Sequence, residues 1–321
     1  MDRQLSLEFA RITEQAALKS ARLVGLGDKE GADQAAVDGM HEQFALTPVS
    51  GTVVIGEGEI DEAPMLYIGE HVGQGGEEVD IAVDPVEGTN LVAKGKNGAI
   101  AVLAIAPKGC LLHAPDMYMQ KICVGPRAKA RIDIRASVTE NLKNVADAMG
   151  REVSDLTMVI LDRERHEKII REAREAGARV YLITDGDVVP SVDCGIQGSG
   201  IHMVMGSGGA PEGVLSAVGL KCLGGDMQAR LLPQTEQEIQ RLHTMGIDDP
   251  NKVLTLDDLV KGDDCIFAET AITDCAMLRG VRFFGGGART STLVLRYKTG
   301  TVRFIDTVHR FGEDKPGVRM F

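Results

Sequence analysis

Asp84 and Glu87 stand three residues apart at the end of the run Val79-Asp80-Ile81-Ala82-Val83, and Gly88 and Thr89 follow at once. The run reads as a buried strand, so its end delivers Asp84 to a sheet edge. Pro85 has no N–H and a fixed φ, and is expected to stop the strand there. Glu87 would follow on the same turn, Gly88 would let backbone approach a ligand, and Thr89 would cap a following helix. Hard carboxylate oxygens beside exposed N–H groups suit a divalent cation bridging to a phosphate. The same residues also suit a plain acidic turn with a helix cap.

Other groups invite the same question. Gly56-Glu57-Gly58-Glu59-Ile60-Asp61-Glu62 follows a short strand, and its carboxylates repel one another unless water or a cation intervenes. Glu57, first after the strand, is the best placed as a ligand; Glu59, Asp61 and Glu62 support it or face water. Asp33 lies four residues before Val37 on an inward helical stripe, where a carboxylate needs a partner, although a first-turn Asp also suits the helix dipole. Lys29 opens that helix as a phosphate or metal-water contact, or as a solvated lysine. In Arg163-Glu164-Arg165-His166, two arginines in a first helical turn oppose the dipole, and a bound phosphate would remove the conflict. Surface pairing with Glu164 and Glu167 is the plainer alternative. Asp185-Gly186-Asp187 suits sugar hydroxyls or a simple Asp-Gly turn. Met205-Gly206-Ser207-Gly208-Gly209-Ala210-Pro211-Glu212-Gly213 reads as a glycine-rich loop from strand to helix. It fits neither a dinucleotide fingerprint nor a Walker A loop. Gly209 would admit a substrate closely, and Glu212 is at least a first-turn helix charge.

These groups need positioning elements. Leu5, Phe9, Ile12, Ala16 and Leu23 predict an amphipathic helix, and Val37, Met40 and Phe44 a second. Strands are expected over 51–55, 79–84 and 97–106. After residue 150 strand and helix alternate: 157–161, 164–176, 179–184, 202–205 and a helix after Pro211. That alternation predicts a parallel α/β layer, with a domain boundary near Gly150. Helices over 235–245 and 254–261, return strands over 265–272, 292–297 and 302–308, and a polar tail over 312–321 complete the expectation, with no chemistry in this final third. The 321 residues allow two domains. The net charge of −12 argues against nucleic-acid and anionic-membrane surfaces, so a phosphate substrate would need its field reversed locally. Six cysteines without a C-x-x-C pair read as reduced thiols of a cytoplasmic protein, and no apolar run is long enough to span a bilayer.

Asp84-Pro85-Val86-Glu87-Gly88-Thr89 resembles the Asp-Pro-x-Asp-Gly-Thr signature of the metal-dependent, lithium-sensitive sugar and inositol phosphatases. With Glu87 in place of the second Asp, and with the acidic stretch from Gly56 to Met65, the chain is similar to the bacterial class II fructose-1,6-bisphosphatases along nearly its whole length. The resemblance implies an α/β (α+β) fold, a layered α/β/α/β/α sandwich. Its N-terminal mixed-sheet domain, 1–150, would bind metal, and its C-terminal α/β domain, 151–321, would bind substrate. It implies a gluconeogenic enzyme of the cytoplasm, a homo-oligomer (dimer or tetramer). This enzyme would release the 1-phosphate of fructose 1,6-bisphosphate by direct attack of metal-activated water. Mn2+ or Mg2+ would bind Asp33, Glu57, Asp84, Glu87 and Glu212. Thr89, Asp84, Glu87 and Lys29 would be catalytic. Glu87, Gly88, Thr89, Tyr118, Arg163, Glu164, Arg165, Asp185, Gly186, Asp187 and Gly209 would contact substrate. Tyr118 would otherwise be a half-buried strand residue. Sedoheptulose bisphosphate, inositol phosphates, nucleoside bisphosphates and a non-catalytic phosphosugar sensor are the alternatives.

Overall fold

Leu5, Phe9, Ile12 and Ala16 form the buried stripe of α1 (Leu5–Ser20). Helix α2 (Lys29–Phe44) is capped by Asp28, whose carboxylate accepts from the Gly31 N–H at 2.8 Å. The two helices cross at Gly39, where a Cβ would sit 2.9 Å from the carbonyl oxygen of Gln15. In the computed structural model, which describes residues 1–2, 4–58, 65–244, 247–249 and 251–312, both helices pack on a sheet. Strands β1 (Val49–Ile55), β2 (His71–Val72), β3 (Glu77–Glu87) and β4 (Ile100–Pro107) begin it, with the short helix α3 (Thr89–Ala93) between the last two.

The chain then leaves for a second compact unit, Leu111–Gly262, and returns at Asp263 to complete the first. The second unit contains β5 (Tyr118–Val124), α4 (Val138–Met149), β6 (Thr157–Leu161), α5 (Glu167–Glu175), β7 (Arg179–Ile183) and α6 (Val188–Asp193). It continues with β8 (Met203–Gly209), α7 (Ala210–Leu223), β9 (Asp226–Leu231), α8 (Glu236–Thr244), β10 (Leu254–Thr255) and α9 (Leu256–Leu259). The returning strands are β11 (Ile266–Ala271), β12 (Arg282–Phe284), β13 (Gly287–Arg296) and β14 (Thr301–Arg310).

The first unit's sheet runs β12-β13-β11-β4-β3-β1-β2, with β14 also on β13; only β1 and β3 pair in parallel. The second unit's sheet runs β10-β9-β5-β8-β6-β7, in which β8, β6 and β7 are parallel and the rest antiparallel. Both sheets are mixed, and the fold is α/β.

Four expectations change. The compact units divide at 110/111 and 262/263. Gly150 instead closes α4 as a left-handed cap with φ +64° inside the second unit. The expected parallel layer is only three strands of a six-stranded mixed sheet, because β5 and β9 join it antiparallel. The glycine-rich segment is not a loop: β8 runs to Gly209, and α7 begins at the next residue. The central strand does not stop at Asp84 but continues to Glu87. Most of the predicted tail lies outside the described residues.

Candidate active site

Pro85 sits in β3 without breaking it because the pairing slips there. Asp84 stands opposite Val102 and Glu87 opposite Ile100, so Pro85 and Val86 together face Ala101. This is a β-bulge, the place in a sheet interior where a residue without an N–H is tolerated. The extra residue also decides direction. Val102 and Ile100 are two residues apart and share a face, so their partners Asp84 and Glu87 share one too. In a regular strand, a spacing of three would send them to opposite faces. Asp84 is further fixed by accepting from the Val86 N–H at 3.1 Å. Gly88 caps α3 with φ +91°, and Thr89 is the first helical residue, one position later than the expected cap.

Strand β1 pairs in parallel with β3, Ile55 opposite Ala82, so Glu57 leaves the sheet at the same edge as Asp84. Gly56 is obligatory, since a Cβ there would lie 1.9 Å from the carbonyl oxygen of Leu66; the Glu57 N–H donates to that oxygen at 3.0 Å. The Glu57 carboxyl hydrogen-bonds to that of Asp33 on α2. Burial first, and then the charge and hydrogen bond of Asp33, push Glu57 up to about 8. Burial also raises Asp33, against the hydrogen bond from Glu57 and the charge of Lys29. Two carboxyls sharing a proton this way form a site whose charge is not yet balanced. Among the described residues, no three His, Cys, Asp or Glu side chains gather closely enough to hold an ion unaided. Glu59, Asp61 and Glu62 lie outside the described residues.

In the second unit, Arg165 donates from Nε and Nη2 to the Ser207 hydroxyl and carbonyl oxygens at 3.0 and 2.9 Å. Its guanidinium lies over the ring of Tyr118, 5.0 Å from the centroid. Arg163 donates to the carbonyl oxygens of Asp162 and Thr184 at 2.9 and 2.8 Å. Glu164 is exposed beside them on a single helical turn. His166 donates from Nδ1 to the Leu161 carbonyl oxygen at 2.8 Å and accepts the Ser207 N–H at Nε2, 2.9 Å away. Burial and the nearby arginines lower its pKa and favour the neutral ring.

Asp187 immediately precedes α6, without capping it through its side chain, after the turn at Asp185 and Gly186, the latter with φ +75°. It is buried and bonded to Lys121 Nζ at 2.7 Å. Burial works against the lysine's charge, but Asp187 and Glu212 outweigh it and raise its pKa. Glu212 folds back over Gly209, where a Cβ would lie 1.9 Å from its Oε2. Burial raises this carboxyl; Lys121 opposes that and Asp187 adds to it. Gly208 has a similar reason, as a Cβ there would lie 2.5 Å from Asp187 Oδ2.

The chain matches the family model for bacterial fructose-1,6-bisphosphatase, glpX-encoded, over residues 3–309. It belongs to that family. The match makes it a phosphoric monoester hydrolase, a fructose-bisphosphatase, of a family whose members are metal-dependent phosphatases. It is 50% identical to a D-fructose 1,6-bisphosphatase class 2/sedoheptulose 1,7-bisphosphatase of Synechococcus sp. (strain JA-2-3B'a(2-13)), covering 100% of both chains. It is 47% identical to the enzyme of that name from Trichodesmium erythraeum (strain IMS101), over 98% of this chain and 99% of the other. No described helix of the fructose-bisphosphatase is long and apolar enough to cross a membrane.

The fructose-bisphosphatase brings together Asp33 with Glu57, Asp84 with Glu87, Arg165 with Tyr118, and Asp187 with Glu212. Sequence reasoning missed Lys121 and Ser207, and it gave His166 no role. Lys121 had a weak signal: it directly precedes the apolar run Ile122-Cys123-Val124 in a strand, where a lysine drawn into the core needs a carboxylate.

Proposed function

We propose that this fructose-bisphosphatase hydrolyses the 1-phosphate of fructose 1,6-bisphosphate. Water adds to phosphorus, the P–O bond to C1 breaks, and the proton balance leaves fructose 6-phosphate and inorganic phosphate. The observation that carries the reading is the family match over residues 3–309, together with an acidic sheet edge of the right chemistry. The donors fit a hard divalent cation: all are carboxylates, and Asp33 and Glu57 hold a proton that such an ion would displace. Mn2+ or Mg2+ suits an oxygen-only set of Asp33, Glu57, Asp84, Glu87 and Glu212. When bound, such an ion supplies Lewis acidity and neutralises phosphoryl charge.

The chain's own groups then have assigned tasks. Thr89 orients the attacking water or holds the phosphoryl group, and the backbone of Gly88 approaches it. Lys29 contacts a phosphate or a water beside Asp33. Arg163 and Arg165, with Glu164 beside them and Tyr118 beneath Arg165, take the phosphate that is not cleaved. Asp185, Gly186 and Asp187 take sugar hydroxyls, and Gly209 leaves room for the sugar. Lys121 adds a positioning role, because it fixes Asp187. Most of the gain in such a loosely bonded transition state comes from positioning and charge neutralisation. The enzyme is proposed to be cytoplasmic, gluconeogenic and a homo-oligomer.

The test is phosphate release from fructose 1,6-bisphosphate with Mn2+, with Mg2+ and with chelator, using inositol phosphate as comparator. Metal-dependent release from the sugar bisphosphate supports the proposal; release from inositol phosphate alone would refute it. Sedoheptulose 1,7-bisphosphate is a second substrate reading, favoured by the relatives' double name and by its identical ketose end. Comparable kcat/KM for the two bisphosphates would support it.

A further inference from the structure

Thr157 and Arg179 open β6 and β7, and beside them lies a cleft of about 500 Å³. It sits at the end of β6 away from Arg163, Arg165 and His166, about 13 Å along a five-residue strand. Arg127, Arg151, Arg179 and His202 line it, and no acidic residue does so among the described residues. The rest of the lining is mostly apolar or glycine, including Pro126, Met149 and Ile196. A pocket of this size with a few convergent polar groups is the form of a small-molecule site.

His202 carries the decisive detail. The Thr157 N–H donates to its Nδ1 at 2.9 Å, so the proton of the neutral ring sits on Nε2. Nε2 lies 2.9 Å from Nη1 of Arg151. A guanidinium has donors only, so two N–H groups face each other with no acceptor between them. Flipping the ring does not help, because it would put a carbon against the Thr157 N–H. Protonating the ring would add a third donor, and burial with the charges of Arg151 and Arg179 opposes that; Asp155 is the acid that counters them. Arg179 is braced on the Asp155 carbonyl oxygen at 2.7 Å and the Thr157 hydroxyl at 3.3 Å, and Arg127 on the Met149 carbonyl oxygen.

We propose that this cleft binds a phosphate-bearing small molecule, whose phosphate accepts from Arg151, Arg179 and His202 Nε2 and whose organic part lies on Pro126, Met149 and Ile196. A tetrahedral dianion has acceptors enough to serve all three donors at once. The cleft shares no residue with those proposed for hydrolysis and does not depend on their assignment.

The test uses the full chain with ring-15N histidine and inorganic phosphate as probe. The His202 signal is assigned by its loss in His202→Gln. Added phosphate is expected to move the His202 Nε2 signal saturably, and chloride at equal ionic strength is not. In the double variant Arg151→Gln, Arg179→Gln the midpoint should weaken by roughly tenfold or more. The other histidine signals should stay in place, which reports that the fold is kept. The His166 signal, beside Arg165 and Ser207, reports phosphate at the other end of β6, and its midpoint should be the same in both proteins. Three results would overturn the proposal: a His202 signal unmoved by millimolar phosphate, one moved equally by chloride, or an unchanged midpoint in the double variant.

Discussion

The acidic edge of the first unit and the basic end of the second handle charge in opposite ways. At the edge, Asp33 and Glu57 are two carboxyls forced together, and a shared proton keeps the peace. Around Arg165 in the second unit the charged side chains are already held: Lys121 by Asp187, Arg165 by the Ser207 oxygens, and Arg163 by the carbonyl oxygens of Asp162 and Thr184. The first arrangement leaves a conflict for a ligand to resolve. The second is preorganised, with side chains held before any substrate arrives, so little ordering remains to be done on binding.

The contrast can be broken most severely at the bulge. Asp84→Ala should lower metal-dependent phosphate release by roughly a thousandfold, as loss of a principal electrostatic group does, with circular dichroism unchanged. Full activity in that variant would sink the assignment. In the second unit the damage should fall on stability. Lys121→Met leaves Asp187 buried without its cation, at a cost of about 3 kcal/mol or more in chemical denaturation. An unchanged midpoint would mean that the pair is not the brace described here.

A smaller effect sharpens the comparison through pH. A cation must displace the Glu57 proton, so below about 8 its apparent affinity should fall about tenfold per pH unit. Without metal the sign reverses. The folded state holds that proton more tightly than the unfolded chain, so stability should decline as pH rises from the ordinary 4.5 towards about 8. Mn2+ titrations by calorimetry, in the native protein and in Glu57→Gln, would show whether the slope vanishes with the carboxyl. The mildest change is Arg165→Lys, which keeps the charge but loses the fork on Ser207 and the flat contact with Tyr118. KM should rise several-fold, about 1 kcal/mol, with kcat little altered.

Much of this was legible from local pattern. Helices α1 and α2 and the buried run of β3 follow from periodicity and the helix after β8 from the alternation of strand and helix, although β3 continues past Asp84 to Glu87. What stayed hidden depends on partners far away in the chain. The common face of Asp84 and Glu87 exists only because β4 pairs across a slip, and nothing in β3 alone announces that slip. The hydrogen bond of Asp33 to Glu57 spans a helix and a strand. Asp187 reads from its own neighbours as a sugar contact or a plain Asp-Gly turn, and its buried bond to Lys121, 66 residues earlier, is not written in that turn. The boundary expected near Gly150 rested on where strand and helix begin to alternate, whereas the compact units are set by β11 pairing back onto β4.

That return has a consequence for how the protein is made. The inner segment, 111–262, has all its strands once the ribosome has passed residue 262. The outer sheet must wait for β11, β13 and β14, the last ending at Arg310. Until β11 emerges, β4, buried along almost its whole length in the finished molecule, lacks one neighbour, so a nascent chain carries a bare apolar border while the whole inner segment, 111–262, is synthesised.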